Sequence, residues 1–173
     1  MIEGQGVLDQ VDGRYRLRFE RRLAHPIERV WQMVTDPDGL ARWFPARVSY
    51  EALAVGAALR FEFEAPQLEQ ARAAGMEDLP PLVTGGVIRE VDPPRVLAFE
   101  WDGEPIRVEL EPDGEGCRLV FTHIFDRDEA QAPRNATGWH ICLEGLEAAL
   151  AGRAAPGDER QAELLPQYQA APR

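Results

Sequence analysis

The segment from Pro26 to Phe44, PIERVWQMVTDPDGLARWF, constrains the fold more than any other, because it holds two helix starts, a hinge and two indoles. Pro26 suits a first helical position, where its missing N–H is not needed, and Ile27, Val30, Trp31 and Val34 follow at helical spacing. Thr35 or Asp36 is placed to cap a second helix that has Pro37 at its first position and Leu40, Trp43 and Phe44 on its apolar side. Two short helices meeting in a V are expected, and they need a sheet and a further helix to pack beside.

The sheet is legible in the alternation. From Arg14 to Glu20, Tyr15, Leu17 and Phe19 occupy one face and Arg14, Arg16, Arg18 and Glu20 the other. After the paired helices, Arg47 to Glu51 and Ala58 to Glu64 read as strands about a turn at Val55-Gly56, with Phe61 and Phe63 on one side. Val83 to Val91, Arg95 to Trp101, Pro105 to Glu111 and Cys117 to Phe125 continue as a meander broken by Asp92-Pro93-Pro94, Asp102-Gly103 and Pro112-Asp113-Gly114. The expected inward faces carry Leu97, Phe99 and Trp101, then Ile106, Val108 and Leu110, then Leu119, Phe121 and His123; Arg107, Glu109 and Arg118 face the other way.

Trp139, Leu143, Leu146 and Leu150 give one long amphipathic helix from about Asn135, with Gly152 as its stop. Beyond it, residues 153–173 lack apolar periodicity apart from Leu164, Leu165 and Tyr168 and read as a flexible C-terminal tail. Residues 66–81, bounded by prolines, read as an insertion in which 67–74 form a small helix, either a lid or a surface excursion without a role. The remaining chain, residues 14–152, is expected to be a single domain.

Composition narrows the partners. A net charge of −11 and a basic complement made wholly of Arg, spread through the chain, argue against binding a phosphate backbone, so no nucleic acid partner is expected. The N-terminus has no basic start followed by an apolar run, and no window approaches a membrane span, so a cytoplasmic location is expected. Two Cys without CxxC spacing and three scattered His offer no metal-ligand pattern, and GxSxG, GxxxxGK and GxGxxG are absent. Neither a metal nor a cofactor is expected, and Gly85-Gly86 reads as a strand start or bulge rather than a phosphate cradle.

Strand, two short helices, six strands and a long C-terminal helix describe an α+β chain whose antiparallel sheet, about seven strands, covers its apolar face with that helix. Pro26 to Trp31, Thr35-Asp36-Pro37, Trp43-Phe44, Gly86 to Pro94, Leu97 to Trp101, Leu119 to His123 and Gly138-Trp139 with Leu143 and Leu146 carry a joint resemblance over residues 14–152. In them the chain resembles the SRPBCC superfamily, with the helix-grip fold of START-related lipid-transfer domains and the birch pollen allergen. Within it, the chain is similar to homologues of the activator of heat-shock protein 90 ATPase, specifically to their C-terminal domain. That resemblance implies a curved sheet gripped by the long helix with a space between them, and it implies the fold without chaperone activation.

Three readings of function follow. In the first, Trp43, Phe44, Phe63, Phe99, Trp101, Phe121, His123, Trp139, His140, Leu143 and Leu146 line a cavity between long helix and sheet for a lipid-like or aromatic small molecule, with Trp43 and Phe44 at its entrance and Trp31 in the core. In the second, the protein is a chaperone-associated or stress-response interaction module, or a homodimer. In the third, it resembles polyketide cyclases and aromatases, with His123, His140, Arg89 or Arg107 as acid-base or charge-stabilising groups. No catalytic residue is assigned, because no recognised catalytic pair appears.

Overall fold

Eight strands form one open antiparallel sheet in the order β1-β2-β8-β7-β6-β5-β4-β3. They are β1 (Val7–Val11), β2 (Arg14–Leu23), β3 (Arg47–Ser49), β4 (Ala58–Glu62), β5 (Val83–Asp92), β6 (Val96–Trp101), β7 (Glu104–Asp113) and β8 (Gly116–Phe125). The helices with described bounds are α1 (Ile27–Thr35), α2 (Pro37–Leu40), α3 (Ala132–Leu150) and α4 (Glu159–Ala170). This structure, a computed structural model, describes residues 4–64, 68, 69, 72, 83–126 and 129–171. Of the proposed insertion, Leu68, Glu69 and Arg72 are helical, and the rest of it lies outside the described residues.

The alternation sorts the sheet into two chemically different faces. Leu17, Phe19 and Leu23 of β2 and Leu119, Phe121 and Phe125 of β8 are buried on the inner face. The outer face is laced by ion pairs: Arg118 with Glu20 at 2.6 Å, Arg107 with Glu90 at 2.7 Å and Arg89 with Glu100 at 2.7 Å. Exposed pairs of this kind contribute about 0–1 kcal/mol each, so the inner face holds the fold together and the outer face keeps it wetted.

The V of short helices closes as the sequence implies, with its indoles exchanged. Asp36 caps α2 by accepting from the Asp38 N–H at 2.9 Å. The helix ends at Leu40, and the chain turns so that Trp43 and Phe44 enter the core at 6% and 5% exposure. The indole N–H of Trp43 donates to the Met33 carbonyl at 3.0 Å, which ties the two arms together. Trp31 is only half-buried. The expected placement of Trp43 and Phe44 at an entrance and Trp31 in the core is therefore corrected, because the turn after α2, rather than a longer helix, sets where these rings point.

Two further corrections concern the ends. The sheet has eight strands rather than about seven: β1 pairs with β2 about an Asp12-Gly13 turn, both residues having positive φ. The C-terminal tail is not loosely held. Residues 159–170 form α4, and Leu164 and Tyr168 are buried at 0% and 2% exposure. A fully buried Leu contributes about 1.5–3 kcal/mol, enough to hold a short helix that has little stability alone.

A buried polar network fastens that helix. The Tyr168 hydroxyl accepts from the Gly6 N–H at 2.8 Å and lies 2.7 Å from Nδ1 of His140. Nε2 of His140 lies 3.2 Å from Glu144, which also takes a forked contact from Arg160 of α4. With its one proton directed at Nδ1, Tyr168 leaves His140 protonated on Nε2 and donating to Glu144. Burial drives His140 down to about 4, helped by the Arg21 and Arg160 charges and opposed by Glu144. Burial pushes Tyr168 up to about 12. Glu144, although burial favours its neutral form, is held below its ordinary value by Arg160 and His140.

The unfolded chain takes up a proton at His140 near pH 6.5 and the folded one only near 4, so acidification across that window favours unfolding. We expect up to about 3 kcal/mol of stability to be lost over this range, since each tenfold difference in proton affinity between the two states is worth about 1.4 kcal/mol. Glu147, raised by burial, opposes this just above its ordinary value of 4.5. Urea unfolding at stepped pH checks it: the wild type should lose stability across the window more steeply than His140→Asn.

Candidate functional site

Aromatic side chains from three strands, the residue after β4, the turn after α2 and helix α3 meet on the inner face in one continuous series. Phe63 stacks on Trp101 (5.7 Å between ring centres), Trp101 on Phe61 (4.8 Å), and Phe44 packs against Trp101 (5.3 Å) and Trp139 (5.5 Å). Trp139 then meets Phe121 at 4.7 Å and His123 at 5.6 Å. Phe99 joins through Phe61 at 6.1 Å, and Trp43 meets Phe44 edge-on. Offset and edge-to-face pairs at these spacings stabilise beyond their buried area, by about 0.5–1.5 kcal/mol each.

The sequence permits this stacking through one missing side chain. Gly86 of β5 stands between Leu59 of β4 and Trp101 of β6 in the register. Its bare Cα lets Phe61 and Trp101 stack across β5, their planes 18° apart. A Cβ at Gly86 would lie 2.8 Å from the Phe61 ring and inside the contact distance of the Glu100 carbonyl oxygen. Gly86 is thus neither a strand start nor a bulge, but the gap over which two rings meet.

Among the described residues, those read as the cavity's lining pack on one another, and an apolar void beside them, lined by Leu40, Phe44, Val48, Leu59, Ile88 and Phe99 among others, holds about 20 Å³. That is room for about one water molecule. Leu143 and Leu146 are buried in the same core at 0% and 1% exposure.

At one end the series becomes polar. The Trp139 indole N–H donates to Nδ1 of His123 at 3.0 Å, and the Asn135 amide approaches the same nitrogen at 3.2 Å. Nε2 of His123 lies 2.9 Å from a Glu104 carboxylate oxygen. An indole N–H only donates, so Nδ1 carries the lone pair and Nε2–H donates to Glu104; the ring is neutral, oriented by the carboxylate. His123 is 3% exposed, while the Glu104 side chain keeps 24% of its surface in solvent. Glu104 pairs with Trp101 across the β6–β7 hairpin, and Trp101 and Phe63 are half-buried. The hairpin end, with Phe63, Trp101, Glu104 and Asn135, is therefore where this interior meets water.

His140 does not join this group. It is adjacent to Trp139 on α3 but a helical step away, and it belongs to the Tyr168–Glu144 network. Arg89 and Arg107 lie on the outer face, paired with Glu100 and with Glu90 and Glu109. The constellation considered for a cyclase-like enzyme is therefore not assembled, because strand alternation sends both arginines away from the histidines. Among the described residues, no three His, Cys, Asp or Glu side chains are grouped to hold a metal ion, and no helix is long and apolar enough to cross a membrane. Burial pushes the Cys142 thiol up to about 12 and raises that of Cys117, leaving both poor nucleophiles at neutral pH.

Two site residues were missed in the sequence although each carried a signal. Glu104 is in phase with the inward Ile106, Val108 and Leu110, a charge on an apolar face. Asn135 precedes Trp139 by one helical turn, which places both side chains on the same side of α3.

An open antiparallel sheet, two short helices in a V and a long C-terminal helix packed on the inner face define a helix-grip protein of the SRPBCC type. The family profile described as Activator of Hsp90 ATPase homolog 1-like protein matches residues 24–151, and the chain belongs to that family. A Bordetella parapertussis protein solved by NMR is similar at 32% identity and TM-score 0.69, over 96% of this chain and 90% of that one. CalU16 from Micromonospora echinospora shares the fold at 20% identity and TM-score 0.69, over 96% of both chains. A conserved Enterococcus faecalis protein of unknown function does so at 20% identity and TM-score 0.72, over 94% of this chain and 87% of that one. No curated protein matches the chain.

If Gly86 is the gap that lets the rings stack, Gly86→Ala should cost at least about 2 kcal/mol and lower the near-ultraviolet circular dichroism of the coupled rings. Gly85→Ala is the control: its added Cβ meets nothing closer than the Leu59 carbonyl oxygen at 3.9 Å.

Proposed function

We propose that the protein binds a flat, hydrophobic or amphipathic small molecule at the hairpin end of the aromatic interior, against Phe63, Trp101 and Trp139, with His123 and Glu104 supplying the polar contact. The observation that carries this reading is the part-buried His123–Glu104 pair at the end of a ring series whose outer members, Phe63 and Trp101, are half-exposed. An apolar wall with a few convergent polar groups is the usual composition of a small-molecule site. Such a pair is costly to bury and adds little to a core that apolar residues would fill as well.

Among the described residues the rings pack on one another, so binding between them requires a ring to move. A ligand that prefers the opened arrangement shifts the protein toward it and lowers its apparent affinity by the scarcity of that state. Trp101 is the ring best placed to yield, being half-buried and anchored by one hydrogen bond, from its N–H to Thr84 at 2.7 Å. A chaperone or a second copy as partner has no comparable constellation among the described residues to support it.

Thermal unfolding and tryptophan fluorescence against a panel of two- and three-ring aromatics test the proposal. Some members should shift the indole emission saturably and raise Tm, by about 2.7 kcal/mol of stabilisation at a hundredfold excess over Kd. Trp101→Ala should change the affinity, and Arg107→Ala on the outer face should not. A panel that moves neither emission nor Tm would refute the reading.

A further inference from the structure

On the outer face of the sheet, the carboxylates of Glu20, Glu90, Glu100 and Glu109 each hold an Arg. Glu104 differs from them. It shares the inner face with Trp101, one of its oxygens lies 2.9 Å from His123, and among the described residues it makes no ion pair with an Arg. Its side chain keeps 24% of its surface in solvent, so the carboxylate is open to a partner from outside. Resting on the site proposed above, we infer that it selects aromatic cations, flat molecules carrying an ammonium group, with the charge held at Glu104 and the rings against Trp101 and Phe63.

The hairpin puts the charge beside the rings. Glu104 stands opposite Trp101 across the β6–β7 turn, and cross-strand partners have Cβ atoms about 4.5–5.5 Å apart. The Trp101 indole is held by its N–H bond to the Thr84 hydroxyl at 2.7 Å and stacks with Phe63, both rings being half-buried. An ammonium N–H donating to the solvent-facing part of Glu104 makes a charge-assisted hydrogen bond, and its charge comes close to an indole, whose π-system attracts cations. The ammonium approaches from the water side of the hairpin, so Trp139 keeps its place on Phe121. The net charge of −11 favours the approach of cations, and an anionic head group meets the like charge of Glu104. Fatty acids and aromatic acids are thereby disfavoured by the group that holds aromatic amines.

Isothermal titration of the full chain with 2-naphthylmethylammonium, 2-naphthylmethanol and 2-naphthoate tests this, since the three share their rings and differ in charge. The ammonium should bind at least about fivefold more tightly than the alcohol, the naphthoate more weakly than either, and added salt should narrow the gap. Glu104→Gln keeps an oxygen to accept from His123 and removes the charge, so the preference for the ammonium should vanish. Glu109→Gln removes the same charge from the outer face and should leave the preference, which separates a local contact from the field of an acidic chain. The salt dependence and the wild-type series give the answer even where a variant folds poorly. Equal affinity for the three ligands, a preference for the naphthoate, or an ammonium preference that survives Glu104→Gln would overturn the cation selection while leaving the site. Absence of binding by all three, together with silence of the wider aromatic panel, would overturn the site itself.

Discussion

The hydrogen bond from the Trp139 indole to Nδ1 of His123 is the contact on which the interior depends. It is a buried polar link between the long helix and the sheet, 3.0 Å long, and it decides two things together. It sets the height of α3 over β8, because the indole that donates also lies on Phe121. It assigns the histidine proton to Nε2 and thus to Glu104.

Around that link the molecule separates its polar work into three places. The outer face carries exposed arginine–carboxylate pairs that add little to stability. The hairpin end holds His123, Glu104 and Asn135, and the side of α3 that faces β2 and α4 holds His140, Tyr168, Glu144 and Arg160. The last group is structural: it satisfies the Gly6 N–H and joins the N-terminal residues to α3 and α4, far along the chain from one another. Two neighbouring residues of α3, Trp139 and His140, thus serve different networks, one over β8 and one over β2.

The fold was largely legible in the sequence because its signals are local. Alternation placed seven strands within a few residues of where they lie, and Asp36, Pro37 and Gly152 marked helix ends through backbone chemistry that needs no partner. The eighth strand carried the same turn signal as the β6–β7 hairpin, Asp12-Gly13 beside Asp102-Gly103, but β1 is short and partly exposed, so its alternation was weak. Helix α4 escaped because its stability comes from Leu164 and Tyr168 docking on distant residues, which sequence periodicity does not register. The aromatic site was read as to residue type and misread as to state. Whether rings line a space or fill it depends on a gap such as Gly86, on a different strand from either ring it admits, and on a turn that inserts Phe44.

The direct test of the central claim is the protonation of the His123 ring in the ligand-free protein, read by proton–nitrogen correlation NMR at neutral pH. A neutral ring with its proton on Nε2, its Nδ1 unprotonated, and a Trp139 indole proton shifted by hydrogen bonding is the predicted result. A proton on Nδ1, or a Trp139 N–H exchanging freely with solvent, would contradict the account, since the indole would then not be the donor that joins helix to sheet.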